Sequence, residues 1–350
     1  MNNIGPLIIN LDSTDISSHE ESLLRNKLIG GVILFQHNYA SKKQIKKLIN
    51  DIKRINSNIL ISVDHEGGRV QRFKAEFTKL PSFESIGRLY ADNKKSAENL
   101  AYSCGYVAGY ELKSIGVDIN FSPVIDLSSD SDVLNERTLS STPQTVSKLA
   151  SSYISGLIEN GIIPVLKHFP GHGLVLSDTH KEISYSELSL TEIDRHISVF
   201  RDIINNFNVP IMTSHIKFTN IDSHPVTTSS KWLKVISKNN FKNQMFFISD
   251  DLEMSGINKY YTNISKVEIL KQALDSGCSM VIVTTMQAKT VINKKNSHLF
   301  YQNEYFDNIH LDDFKENYIN LPCFENIIYN RGTMSLYKDA LGNINKNRDI

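Results

Sequence analysis

Short, continuous apolar runs recur along the chain at 6–11, 31–35, 59–64, 118–125, 163–168, 210–215, 246–250 and 280–284. They do not alternate with polar residues, which is the pattern of strands buried on both faces. Between them the period lengthens to that of a helix. Ile45, Leu48, Ile49, Ile52 and Ile55 form one apolar stripe, with Ser41 and Gln44 as a capping box at its start. Val146, Leu149, Ala150, Tyr153, Ile154, Leu157 and Ile158 form a second. Thr142 is its expected N-cap, Pro143 its first helical residue, and Gly161 follows its end. Ile193, Ile197, Phe200, Ile204 and Phe207 form a third, with Ser189 and Glu192 as another capping box.

Eight strand-then-helix units with no linker between them predict an α/β chain folded as a single (β/α)8 TIM barrel over residues 1–350. An open doubly wound sheet is the alternative. It usually has fewer strands, and no glycine fingerprint for a dinucleotide follows the first run. Beyond about residue 286 lysine and asparagine become frequent, and the pattern predicts only weak helices. A divergent C-terminal segment is therefore expected over about 290–350.

Composition changes this picture little. The chain has 350 residues, 40% of them apolar, enough for one elaborated barrel or two smaller domains. Lys+Arg and Asp+Glu are both 38, so no net charge draws the chain to nucleic acid or to an anionic membrane. No apolar run reaches the roughly 18–20 residues that span a bilayer. The start, Met1-Asn2-Asn3, lacks a basic n-region, so a cytoplasmic protein without a signal peptide is expected. Cys104, Cys278 and Cys323 are scattered and read as reduced and buried.

In a barrel, chemistry gathers where strands end. The third run ends in Asp64-His65-Glu66-Gly67-Gly68-Arg69-Val70-Gln71-Arg72, and the fourth in Asp126. Lys167-His168-Phe169-Pro170-Gly171-His172-Gly173 closes the fifth, followed by Ser177-Asp178-Thr179-His180. Ser214-His215 ends the sixth and Asp250-Asp251 the seventh. Side chains alternate along a strand, so only one of Asp250 and Asp251 is expected to face the barrel mouth, and either could be the reactive one. His180 taken alone reads as a surface histidine. Asp178, two residues earlier, is placed to orient its imidazole and favour its protonated form. The stretch 174–188 is long for a connection and reads as a functional loop. The histidines match no zinc spacing, and no Gly-Lys-Ser/Thr follows Gly67-Gly68, so neither a metal, a phosphate nor a cofactor is expected. Carboxylates beside Arg and Lys suit the hydroxyls of a neutral sugar.

These motifs, with Phe121-Ser122-Pro123-Val124-Ile125-Asp126-Leu127, Glu136-Arg137-Thr138, Asp178-Thr179-His180-Lys181, Met212-Thr213-Ser214-His215 and Ser249-Asp250-Asp251-Leu252-x-Met254, resemble family 3 of the glycoside hydrolases. The resemblance is to its single-domain bacterial β-N-acetylhexosaminidases and covers about residues 5–285. It implies Asp250 as nucleophile and His180 as acid/base held by Asp178. It also implies Asp64, Arg72, Arg137, Lys167 and His168 as the residues that hold an N-acetylglucosamine ring. The implied substrate is a muropeptide fragment, N-acetylglucosamine β-1,4-linked to 1,6-anhydro-N-acetylmuramic acid, and the implied setting is peptidoglycan recycling in the cytoplasm by a monomer. A histidine acid/base departs from the usual two carboxylates. Two other readings stand beside this one: a β-glucosidase-like exo-glycosidase of the same family, and an inactive sugar-binding homologue.

Overall fold

A computed structural model describes residues 4–129, 134–175, 184–242, 244–293 and 331–347. Its main sheet is parallel throughout. The strands are Leu7–Asn10, Ile29–Leu34, Leu60–Val63, Ile119–Asn120, the interrupted pair Ile163–Pro164 and Leu166–Phe169, then Ile211–Thr213, Phe247–Asp251 and Cys278–Val283. The two outermost segments of this sheet are Ile163–Pro164 and Leu166–Phe169, separated in sequence only by Val165. They are halves of one strand, so the sheet closes on itself as an eight-stranded barrel. A bridge from Val124 to Lys167 spans the seam.

The continuous apolar runs have two destinations. Ile8, Ile33, Leu60, Ile119, Ile163, Val165, Met212, Ile248, Met280 and Ile282 fill the barrel interior as one cluster. Their neighbours Leu7, Ile9, Val32, Leu34, Ile61, Val63, Leu166, Phe247, Val281 and Val283 join a larger cluster under the helices. Successive residues point to opposite faces, so a strand between two apolar layers must be apolar at every position.

The expected helices form with small differences. Lys42–Ile55 is capped by Ser41, which accepts from the Gln44 N–H. Gln44 does not complete the expected box. Its Oε1 accepts from the Ala40 N–H, and its Nε2 donates to the carbonyls of Thr14 and Asn38. Pro143–Glu159 starts with proline at N1, although Thr142 makes no side-chain cap. Leu190–Ile204 carries the full Ser189–Glu192 box. The fourth strand is far shorter than the expected 118–125, because Pro123 has no N–H to donate to a ladder.

Beyond residue 286, where weak helices were expected, the described residues hold two helical segments. Thr285–Ile292 begins with a capping box from Thr284 and Gln287. Arg331–Lys346 packs along Lys94–Ile115, burying Ala340 and Ile344, and Asn343 Nδ2 donates to Ser103 Oγ at 3.1 Å. Cys104 and Cys278 are buried free thiols, and Cys323 lies outside the described residues. Among the described residues no helix is long and apolar enough to cross a membrane.

Candidate active site

A cavity of about 420 Å³ opens at the C-terminal mouth of the barrel. Asp64, Arg72, Arg137, Lys167, His168 and Asp250 all line it. They come from the ends of the third, fifth and seventh strands and from the segments after the third and fourth. Asp178 and His180 lie outside the described residues.

The floor is a charged array around Lys167, which is 2% exposed. Lys167 Nζ donates to Asp64 Oδ1 at 2.8 Å and pairs with Glu66 Oε1 at 2.7 Å. Arg72 Nη2 donates to Asp64 Oδ2 at 3.1 Å. Arg137 grips Glu66 with two parallel bonds, Nε to Oε2 at 3.0 Å and Nη2 to Oε1 at 2.8 Å. Burial opposes ionisation of both carboxyls. The neighbouring cations outweigh it, Lys167 and Arg72 for Asp64, Arg137 and Lys167 for Glu66, and hold both below the usual carboxylate range. Burial also opposes the charge on Arg137, but Glu66 raises its pKa further. The ionised, hydrogen-bonded form is thus fixed across the array, which presents oriented donors and acceptors to the cavity.

The backbone that carries the array is shaped by Gly67 and Gly68. Both have positive φ in the turn between His65–Gly67 and Val70–Gln71. A Cβ on Gly67 would lie 2.4 Å from the Pro81 carbonyl oxygen. Only glycine allows this turn to fold Arg72 back toward Asp64. The turn is fixed from outside by Arg69 N–H donating to Glu136 Oε1 at 2.8 Å. His65 points away from the cavity, between Phe73 and Phe77, with neither ring nitrogen hydrogen-bonded. Burial, with Arg72 and Lys42 nearby, lowers its pKa to about 3, so it is a neutral packing residue.

His168 is held by Asp126. Asp126 Oδ2 accepts from His168 Nδ1 at 2.7 Å, while its Oδ1 accepts from the N–H groups of His168 and His172 at 3.1 and 2.7 Å. Burial opposes the charge on Asp126, but His168 and the other donors bring its pKa down to about 2. One buried carboxylate therefore joins the end of the fourth strand to the end of the fifth and to the root of the following loop. With Nδ1 as the donor, Nε2 is left as the polar atom on the far edge of the ring.

Asp250 Oδ1 accepts from the Asp251 N–H at 2.8 Å, and Asp251 Oδ1 accepts from the Glu253 N–H at 2.9 Å. His215 bridges Thr227 Oγ1 and the Asp251 carbonyl, at 2.8 and 3.0 Å. Asp250 and Asp251 both border the cavity. The pairing register slips between Ile248 and Asp251, so strict alternation ends just where the pair sits.

Glu66 and Asp126 were absent from the residues expected to hold a ligand, yet Glu66 fixes two that were, Arg137 and Lys167, and Asp126 fixes one, His168. A signal for Glu66 existed. Lys167 ends an apolar run, Ile162 to Leu166, and a buried ammonium requires carboxylate partners. Among the described residues no group of three or more His, Cys, Asp or Glu is placed to hold a metal ion.

The sequence model described as glycosyl hydrolase family 3 N terminal domain matches residues 5–303. A beta-hexosaminidase of Nitrosomonas eutropha is 38% identical over 283 residues, 80% of each chain, and one of Nitrosospira multiformis is 36% identical over the same share. The crystal structure of native NagZ from Neisseria gonorrhoeae superposes with a TM-score of 0.83 at 28% identity, covering 98% of both chains. The same protein with N-trifluoroacetyl-D-glucosamine superposes with a TM-score of 0.78 at 27% identity over 98% of both. The chain belongs to glycosyl hydrolase family 3 and is a glycoside hydrolase built on a (β/α)8 barrel.

Proposed function

We propose that the chain is a retaining exo-β-N-acetylglucosaminidase that works through a glycosyl-enzyme intermediate. The observation that carries this is the placement of Asp250 across one cavity from the Asp64–Lys167–Glu66–Arg137 array and His168. Relatives named beta-hexosaminidase and a neighbour that binds an N-acylated glucosamine support the choice of sugar. In this reading Asp64, Arg72, Arg137, Lys167 and His168 hold the terminal ring. Asp250 attacks its anomeric carbon as the bond to the aglycone oxygen breaks, and His180, oriented by Asp178, protonates that oxygen. His180 then takes a proton from water, which displaces Asp250 and releases the sugar. Contacts remote from the anomeric carbon serve to orient it. A peptidoglycan-derived disaccharide is the proposed natural substrate, acted on in the cytoplasm.

The test is hydrolysis of a chromogenic N-acetyl-β-glucosaminide followed by proton NMR. The β-anomer of N-acetylglucosamine is expected to appear first. Initial release of the α-anomer excludes the covalent route, and absence of turnover overturns the enzymatic reading. Comparison with a β-glucoside separates it from a β-glucosidase, which would prefer the glucoside.

Asp126 is assigned here as a positioning residue. Asp126→Asn keeps the shape but turns one oxygen into an N–H₂ that cannot accept from His168 Nδ1. The expected result is a fall in kcat/KM of about tenfold to a hundredfold, by analogy with lost imidazole orienters. KM should carry much of that fall, and Asp126→Glu, which keeps the carboxylate, should recover part of it. An unchanged KM, or no recovery in Asp126→Glu, would reduce Asp126 to a packing role.

A further inference from the structure

Backbone pairing of the sixth strand with the seventh runs Ile211 with Phe247, Met212 with Ile248 and Thr213 with Ser249, and stops there. Asp250 and Asp251 therefore lie beyond the last rung on this side. On the other side Asp251 pairs with Ile282 of the eighth strand after the register has slipped. Continued in step from Thr213 and Ser249, the sixth strand would set His215 opposite Asp251. At that place the His215 side chain reaches across, with Nε2 3.0 Å from the Asp251 carbonyl. A carbonyl only accepts, so Nε2 carries a hydrogen and donates it. The ring supplies a bond where the backbone ladder has ended.

The other ring nitrogen is held as well. Thr227, in the short turn Val226–Thr228, places Oγ1 2.8 Å from His215 Nδ1, 2.8 Å from Thr213 Oγ1 and 2.9 Å from the Ser214 carbonyl. All four residues are buried, so turning the ring would break bonds that water cannot replace. The Asp251 backbone is thus gripped twice. Its carbonyl accepts from His215 and from the Met254 N–H at 3.1 Å, and its N–H donates to Asp250 Oδ1 at 2.8 Å. His215 is not among the residues that line the cavity, so it reaches the chemistry only through this backbone. We propose that His215 is a positioning residue, which through the Asp251 backbone sets where the Asp250 carboxylate meets the anomeric carbon. This rests on the reading of Asp250 as the nucleophile and adds the residue that aims it.

Two substitutions separate the two ring nitrogens. His215→Gln puts an amide nitrogen near the place of Nε2 and can still donate to the Asp251 carbonyl. His215→Asn is shorter, and reaches Thr227 but not Asp251. On the chromogenic N-acetyl-β-glucosaminide, His215→Asn is expected to lose about a hundredfold in kcat with KM within about twofold, while His215→Gln stays within about fivefold of wild type. Thr227→Val keeps the shape but removes the hydroxyl that steadies Nδ1, and should lose about tenfold in kcat. A dinitrophenyl aglycone leaves without protonation, so the loss in kcat/KM should persist on it if the nucleophile is misplaced. Equal losses in the Asn and Gln variants, a loss carried by KM, or a loss that vanishes with the dinitrophenyl aglycone overturns the proposal. Circular dichroism checks the fold, and if His215→Asn does not fold, Thr227→Val decides, a wild-type kcat there overturning the role. A wild type that turns over no N-acetyl-β-glucosaminide, or that carries a fluorosugar label away from Asp250, removes the functional reading and the role of His215 together. Turnover with the label on Asp250 and no kcat loss in His215→Asn removes His215 alone.

Discussion

Asp250→Asn is expected to lose about a thousandfold or more in kcat, while Asp251→Asn stays within about tenfold of wild type. The contrast is informative because both aspartates border the cavity and both accept a backbone N–H one or two residues on. Asparagine at either position keeps an oxygen for that bond, so the local turn survives in both variants. What asparagine cannot do is form a glycosyl ester. A large loss at 250 alone therefore reports nucleophilicity rather than geometry. Steady-state assays with the chromogenic substrate measure it, and circular dichroism checks the fold. A fluorosugar that slows breakdown of the intermediate should add its mass to the peptide containing Asp250. Label on a peptide lacking Asp250, or a larger loss in Asp251→Asn, would reassign the nucleophile.

The division between what the sequence showed and what it hid follows from the range of each interaction. The barrel strands were visible because burial on two faces imposes apolar residues at consecutive positions, and the interior and outer clusters divide those runs as the alternation requires. Caps such as Ser189 with Glu192 were visible because they are local. The Gln44 contact was misread because its side chain reached Thr14, thirty residues away, in preference to its own cap. Asp250 and Asp251 could not be separated, since a register slip at the strand end defeats a rule that assumes regular pairing. Arg137 was found only through the family motif. Its reason for being there is the bidentate bond to Glu66, seventy-one residues away in sequence. The tail helix Arg331–Lys346 was hidden for a different reason. Its buried contacts, Ala340 and Ile344, are with the helix Lys94–Ile115, more than two hundred residues earlier, and nothing local announces such a partner.

Glu66→Gln is the substitution expected to cost most in stability, about 3–5 kcal/mol at pH 7. Glu66 is 2% exposed and is shared by two buried cations, Arg137 and Lys167. The wild-type array holds three cations against two carboxylates. Removing the charge of Glu66 leaves Asp64 as the counterion for all three. The amide also has a single acceptor oxygen, so one of the donors that Glu66 satisfies is left without a partner at an additional cost. The pH dependence has a definite sign. The folded-state pKa of Glu66 is lowered, because Arg137 and Lys167 outweigh the burial that opposes its charge. A depressed carboxylate contributes stability that is full above its unfolded pKa of about 4.3 and is lost as pH falls through the folded value. The deficit of Glu66→Gln relative to wild type should thus be constant from about pH 5 to 8 and shrink below about pH 4, where Glu66 takes up a proton in the unfolded wild-type chain while the folded form stays ionised. Urea unfolding midpoints measured across that range provide the check. A deficit that stays flat down to pH 2 would mean that Glu66 contributes through shape alone. No measurable deficit at pH 7 would mean that solvent already screens the array, and the fixed, ionised floor inferred for the cavity would have to be abandoned.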